Sequence, residues 1–279
     1  MSKFRYAYNS IVYMQEPFLK QVKRLVKYGF DAIELIGEPS WYDLKEVKRI
    51  TSSEGIAVSS ICSIFTPTRD LCHPDLKERK AGLEYAKAIA EMAAAVDSPI
   101  MIVAPTSRIA PIASKSKEWK LAVDSIQQLG EFAKRLNVQL AIEPWNRYET
   151  YFLNRLDQAV KLMEATHLDN CGVHGDMFHM NIEEDDIVEA YRRASKHLIH
   201  THIADSNRAA PGTGHLDFRP IVKVLKEMNY QGYLCFELLP PVKDPFACIR
   251  NGEAIDFLDK YTELAIKTMK QAELEFFDE

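Results

Sequence analysis

Four stretches place carboxylate or imidazole side chains at the ends of short apolar runs. They are Ile142-Glu143-Pro144-Trp145-Asn146-Arg147, Val173-His174-Gly175-Asp176, His200-Thr201-His202-Ile203-Ala204-Asp205 and Cys235-Phe236-Glu237-Leu238. Charged side chains in apolar surroundings are costly unless they are paired or bind a metal. Glu143, Asp176 and Glu237 brought together would repel one another, and a divalent cation relieves that repulsion. With an imidazole from His200 or His202 they make a mixed oxygen and nitrogen set. Such a set suits Mn²⁺ and tolerates Mg²⁺, Co²⁺ or Zn²⁺. Residues two apart on a strand share a face, so the spacing leaves His200 and His202 equivalent and puts His174 beside Asp176. Singly, a strand-end acid is as readily a helix cap or a salt-bridge partner; the coincidence of the stretches is what implies a site.

The elements that must position these residues follow from periodicity. Eight short apolar runs recur: Phe4–Asn9, Ala32–Gly37, Ala57–Ile64, Pro99–Pro105, Gln139–Trp145, Cys171–Asp176, Leu198–Asp205 and Tyr233–Leu239. Several are rich in Ile and Val, as strands buried on both faces should be. Between them lie amphipathic segments: Pro17–Tyr28, Asp75–Val96, Ser116–Leu136, Leu156–Ala165, Glu183–Ser195, Arg219–Met228 and Asp244–Ala272. In the first, Phe18, Val22, Leu25 and Val26 share a face, and Gly29 and Gly55 stand where a glycine ends a helix. Alternating strands and helices build a parallel sheet, and eight repeats in a chain of this length predict a closed (β/α)8 TIM barrel. A doubly wound sheet would carry a glycine-rich phosphate loop after its first strand. The chain reads Asn9-Ser10-Ile11-Val12-Tyr13-Met14 there, and no dinucleotide or P-loop fingerprint occurs elsewhere. With no low-complexity linker, residues 1–279 are expected to form one domain. In such a barrel the chemistry sits at the C-terminal ends of the strands, where the four stretches end. The acidic tail Glu273–Glu279 reads as the frayed end of the last helix.

Composition narrows the function classes. The 279 residues carry a net charge of −5, which opposes nucleic-acid binding. Thirteen Phe, twelve Tyr and three Trp supply a large core. The five cysteines form no CxxC pair, so reduced thiols in a cytoplasmic protein are expected, with Cys62, Cys171 and Cys235 as small buried hydrophobes. No apolar stretch is long enough to span a bilayer, and the first residues have no signal-peptide core. A soluble protein without a membrane or nucleic-acid partner is the expectation.

The motifs also resemble a family. Glu143-Pro-Trp-Asn-Arg-Tyr-Glu-Thr-Tyr-Phe-Leu-Asn154 resembles the strand-5 motif of the xylose-isomerase-like sugar epimerases and isomerases, with the D-tagatose/D-psicose 3-epimerase group most similar. Gly175-Asp-Met-Phe-His-Met-Asn-Ile-Glu-Glu184 is similar to that group's strand-6 signature, and the stretch His202 to His215 to its strand-7 signature. Phe236-Glu237 matches its final ligand. The resemblance implies four metal ligands, Glu143, Asp176, His202 and Glu237, and so chooses His202 over His200. It also implies substrate-hydroxyl contacts from Glu149, His179 and Arg208, and a homo-oligomer. The chain departs from the group at Trp145, at His174-Gly175, and in the loops Cys62–His73 and Ala104–Ser114.

A metal and two carboxylates suit proton abstraction next to a ketone. A divalent ion on a keto-sugar's carbonyl and neighbouring hydroxyl stabilises the enediolate left when the proton departs. Glu143 and Glu237, on different strands, would remove the proton on one face and return it on the other. The expected protein is therefore a Mn²⁺-type keto-sugar epimerase or isomerase. The alternative keeps the metal and base but ends in elimination: a lyase acting on a 3-keto-sugar derivative, either an inosose-type dehydratase or the metal subunit of a C-glycoside deglycosidase with a second chain. Trp145 and the altered loops motivate that alternative. A barrel that only binds sugar and a DNA-repair endonuclease are weaker readings; the endonuclease needs more metal ligands, and the net charge of −5 opposes DNA.

Overall fold

The computed structural model of the chain describes residues 4–253 and 255–277. Its strands are β1 (Arg5–Asn9), β2 (Ala32–Gly37), β3 (Ala57–Ser63), β4 (Ile100–Val103), β5 (Gln139–Ile142), β6 (Cys171–Asp176), β7 (Leu198–Ile203) and β8 (Tyr233–Phe236). They pair in parallel in sequence order and close into a barrel, with Tyr8 of β1 opposite Phe236 of β8. The predicted barrel is thus observed, and all eight runs are strands.

The helices outside it are α1 (Phe18–Tyr28), α2 (Leu44–Glu54), α3 (Leu76–Ala95), α4 (Lys115–Lys134), α5 (Leu156–Thr166), α6 (Met177–Glu183), α7 (Ile187–Ala194), α8 (Phe218–Glu227), α9 (Pro245–Arg250) and α10 (Ile255–Phe277). Gly29 and Gly55 end α1 and α2 in the left-handed conformation, as expected. Three sequence expectations need correction. The segment Glu183–Ser195 holds α7, which begins only where Asp186 caps it, and it is preceded by a helix not expected from the sequence, α6, which starts directly after β6 because Asp176 caps it. The segment Asp244–Ala272 is also divided: α9 stops at Arg250, and Gly252 follows with a positive φ. Nor is the acidic tail simply frayed. Glu273 is buried and accepts a hydrogen bond from the Tyr6 hydroxyl at 2.8 Å, tying α10 to β1 on the outside of the barrel. Asp278 and Glu279, also in that tail, lie outside the described residues.

Alternation along the strands separates two environments. Tyr6, Tyr8, Ile33, Leu35, Val173, Leu234 and Phe236 point outward into the main core between sheet and helices. The alternate positions face the barrel interior, where apolar packing is limited to two small clusters, Ala7-Ala32-Cys235 and Ile36-Cys62-Ile102. Polar side chains occupy the rest of that interior, among them Asn9, Glu34, Ser60, His174, His200 and His202, all fully buried or nearly so.

The loops after β3 and β4 are clamped together by charge. Arg108 pairs with Asp70 and, at 2.9 Å, with Glu118, both carboxylates being buried. Glu118 also accepts from the backbone of Ile112 and Ala113, and Thr106 donates to Asp70 at 3.0 Å. Breaking a buried ion pair from one side leaves uncompensated charge. Arg108→Ala is therefore expected to destabilise the fold by roughly 3–5 kcal/mol, read from urea unfolding; a loss below about 1 kcal/mol would mean that the clamp is not stabilising.

Candidate metal centre and active site

The C-terminal ends of β5 to β8 converge as the sequence implied. Glu143 follows β5 directly, and its N–H donates to Val103 O at 3.0 Å, which extends the ladder by one residue. Asp176, the last residue of β6, divides its two oxygens. Oδ1 accepts the Phe178 N–H at 2.7 Å as the N-cap of α6, while Oδ2 has no hydrogen-bond partner among the described residues. The helix-cap and ligand readings of this aspartate are therefore both compatible with one side chain.

Glu34, which the sequence reading passed over, organises the imidazoles. Its Oε1 accepts from Asn9 Nδ2 at 2.6 Å and His202 Nε2 at 2.8 Å. Its Oε2 accepts from Ser60 Oγ at 2.6 Å and His200 Nε2 at 3.0 Å. β2 and β7 are not neighbours in the sheet, so these bonds cross the barrel interior. The available signal was a single acid inside the apolar run Ala32-Ile-Glu-Leu-Ile-Gly37. With Nε2 held by Glu34, the Nδ1 of His202 faces Asp176 Oδ2 and Glu237 Oε2, each 3.7 Å away. These separations are too long for hydrogen bonds. They suit donor atoms that share one ion at bond lengths of about 2.1 Å.

Atoms of Glu143, His174, Asp176 and His202 lie within 4.8 Å of one another and could hold a metal ion. Three of the four expected ligands are in that group. Glu237 reaches its edge through His202 while accepting from Arg208 Nη2 at 2.7 Å. A second group, Glu34, His200, His202 and Cys235, lies deeper. The many hydrogen bonds already made to Glu34 make it the structural layer. The buried, unpartnered Asp176 Oδ2 and His202 Nδ1 fit a cation at the upper one.

Electrostatics agree. Burial, then the charge of Asp176, pushes the Glu143 carboxyl well above the usual range. Burial acts the same way on Asp176, but His179 and His202 outweigh it and hold that group well below. Burial disfavours charge on His202, yet Glu34 and Glu237 outweigh it and push its pKa well up. His174 and His200 are pushed down, chiefly by burial.

A cavity of about 150 Å³ opens above this centre. Glu143, Glu149, His179, Arg208 and Glu237 line it together with Trp145, Phe65 and Phe246. The residues expected to touch substrate, Glu149, His179 and Arg208, are thus in one place with the two expected catalytic carboxylates. His179 Nδ1 accepts the Asn146 N–H at 3.1 Å, so its Nε2–H points toward Asp176 Oδ2, 3.6 Å away. Asn146 Nδ2 also donates to Glu149 at 2.9 Å, a positioning contact that the sequence reading missed. Arg208 has φ +61°, a strained value for a residue with a side chain, and its guanidinium lies over the Phe178 ring.

The sequence model of the xylose isomerase-like TIM barrel family matches residues 22–261. The chain belongs to that family. It is 30% identical over 251 residues to the 3-dehydro-D-guloside 4-epimerase of Escherichia coli strain K12, covering 87% of this chain and 95% of that one. It is 30% identical to the D-psicose 3-epimerase of Agrobacterium fabrum, covering 77% of each. Among solved structures it is similar to the 3-keto-D-glucoside 4-epimerase of E. coli, with a TM-score of 0.79, 28% identity and coverage of 91% and 98%. The D-psicose 3-epimerase of Clostridium cellulolyticum H10 has the same fold, with a TM-score of 0.85 at 22% identity and coverage of 96% and 99%. The resemblance noted from the motifs is borne out, and the chain is an enzyme of the epimerase and isomerase kind. All five cysteines are free, Cys171 being only half-buried. Among the described residues no helix is long and apolar enough to cross a membrane.

The Glu34 network yields a test. A carboxylate holding the far nitrogen of a metal-binding histidine typically contributes about 10–100-fold to metal affinity. Glu34→Gln replaces an acceptor with an amide facing two N–H donors. Titration calorimetry with Mn²⁺ should show a loss of about that size; unchanged affinity would mean that Glu34 does not orient His202.

Proposed function

We propose that this protein is a divalent-metal-dependent epimerase of keto-sugars, inverting the carbon beside the ketone. The observation that carries the reading is the placement of Glu143 and Glu237, from non-adjacent strands, in one cavity around His202 and Asp176. Glu143, Asp176, His202 and Glu237 would hold the ion, with Mn²⁺ the preferred occupant and Mg²⁺ or Co²⁺ able to substitute. When bound, the ion supplies Lewis-acid stabilisation for the negative charge that develops on the substrate oxygens.

The chain's own residues supply the proton traffic and the grip. Glu143, buried and lining the cavity, exchanges a proton with the substrate carbon from one side as a general acid–base group. Glu237 works from the other side, oriented by the guanidinium of Arg208. One removes the proton from carbon and the other delivers one to the opposite face. His179, held by Asn146, offers its Nε2–H to a substrate hydroxyl, and Glu149 and Arg208 offer an acceptor and a donor farther out. Trp145, Phe65 and Phe246 screen the reacting carbon from water.

The substrate is a keto-hexose or a 3-keto-hexoside. Relatives acting on both kinds are similar to this chain, and their names favour inversion over elimination. Metal-loaded enzyme incubated in D₂O with D-psicose, D-tagatose, D-fructose and 3-keto-D-glucoside should give an epimer carrying one deuterium at the inverted carbon. Glu143→Gln and Glu237→Gln should each lower turnover by about 10²-fold or more. Products of elimination would establish the lyase instead, and neither exchange nor product across the panel would overturn the proposal.

A further inference from the structure

His174 has no assigned task in that scheme, yet it is the least satisfied side chain near the centre. It is fully buried, and neither ring nitrogen has a hydrogen-bond partner among the described residues. Buried polar atoms without partners are uncommon and call for an explanation. The pairing of β6 with β7 supplies the orientation. A register shift at Val173/His174 sets His174 opposite His200 and Asp176 opposite His202, so the imidazole shares the inward face with Asp176. Its Nε2 lies 3.6 Å from Glu143 Oε1, beyond hydrogen-bond length, and its ring centre lies 4.2 Å from that of His202. His174 also falls within the 4.8 Å cluster with Glu143, Asp176 and His202.

We propose that His174 is an additional ligand of the metal centre, so that the ion is held by two imidazoles as well as carboxylates. The proposal rests on the reading of this site as a metal centre. A second nitrogen donor raises affinity for borderline ions such as Co²⁺ and Zn²⁺ more than for Mn²⁺ or Mg²⁺, which favour oxygen. His174 then raises the site's affinity for Co²⁺ relative to Mn²⁺.

Two measurements test this on the full-length protein. X-ray absorption of the wild-type enzyme loaded with Co²⁺ should count two imidazoles per ion; one imidazole overturns the proposal. Competition titrations should show that His174→Ala lowers Co²⁺ affinity by about 10-fold or more and Mn²⁺ affinity much less. His174→Gln, which keeps a polar group there, should lose the same selectivity, and both variants should keep the wild-type circular dichroism. If the Co²⁺-to-Mn²⁺ affinity ratio is unchanged in a folded variant, His174 is only a neighbour of Glu143 and the proposal fails. If the wild-type protein takes up neither Co²⁺ nor Mn²⁺, the metal reading of the site fails first, and this outcome is distinct from metal uptake with one imidazole.

Discussion

The structure depends on concentrating negative charge inside a barrel. Glu34, Glu143, Asp176 and Glu237 all face the interior or its mouth, where water screens little. Such a cluster is tolerable only if positive charge or hydrogen-bond donors sit among it. His202 stands at its centre, its Nε2 committed to Glu34 and its Nδ1 facing Asp176 and Glu237. Burial, then Asp176, raises the Glu143 carboxyl, whereas Glu34 and Glu237 raise His202 against burial; both shifts reduce the net negative charge of the cluster. A divalent ion would reduce it further, which is what the proposed function requires.

The interior is layered to serve this arrangement. Small side chains, Ala7, Ala32 and Cys235, fill the lower level, which leaves room for the Glu34 network above them. That network spends its hydrogen-bonding capacity on orientation, with Asn9 and Ser60 completing both oxygens. The cavity lies above it, its walls formed in part by Trp145, Phe65 and Phe246. Around the mouth, the Arg108 clamp ties the loops after β3 and β4 into a fixed rim. Those loops differ from the epimerase pattern in sequence but are held by their own buried ion pairs.

Much of this was legible beforehand because the signals are local. A short, mostly apolar run ending in an acid reads as a strand pointing that acid at the rim, and this located Glu143, Asp176 and Glu237 from β5, β6 and β8. Helix boundaries were less legible where capping competed with periodicity. Asp176 starts α6 at once, and Asn251-Gly252 interrupts a segment whose apolar spacing alone suggested one helix. Glu273 looked like part of a solvated tail because its partner, the Tyr6 hydroxyl, is 267 residues away in the chain.

The amino-acid order alone determined the eightfold alternation, the barrel and the identity of the acids at its rim, since each depends on spacing within a few residues. Tertiary structure alone decided how the histidines are used. Spacing made His200 and His202 equivalent; the crossing of the barrel by Glu34 gives both an Nε2 partner and leaves only His202 with Nδ1 facing Asp176 and Glu237. It also placed His174 in that cluster through the register of β6 against β7. Which atoms meet across a closed barrel depends on stagger and closure, and these are properties of all eight strands together.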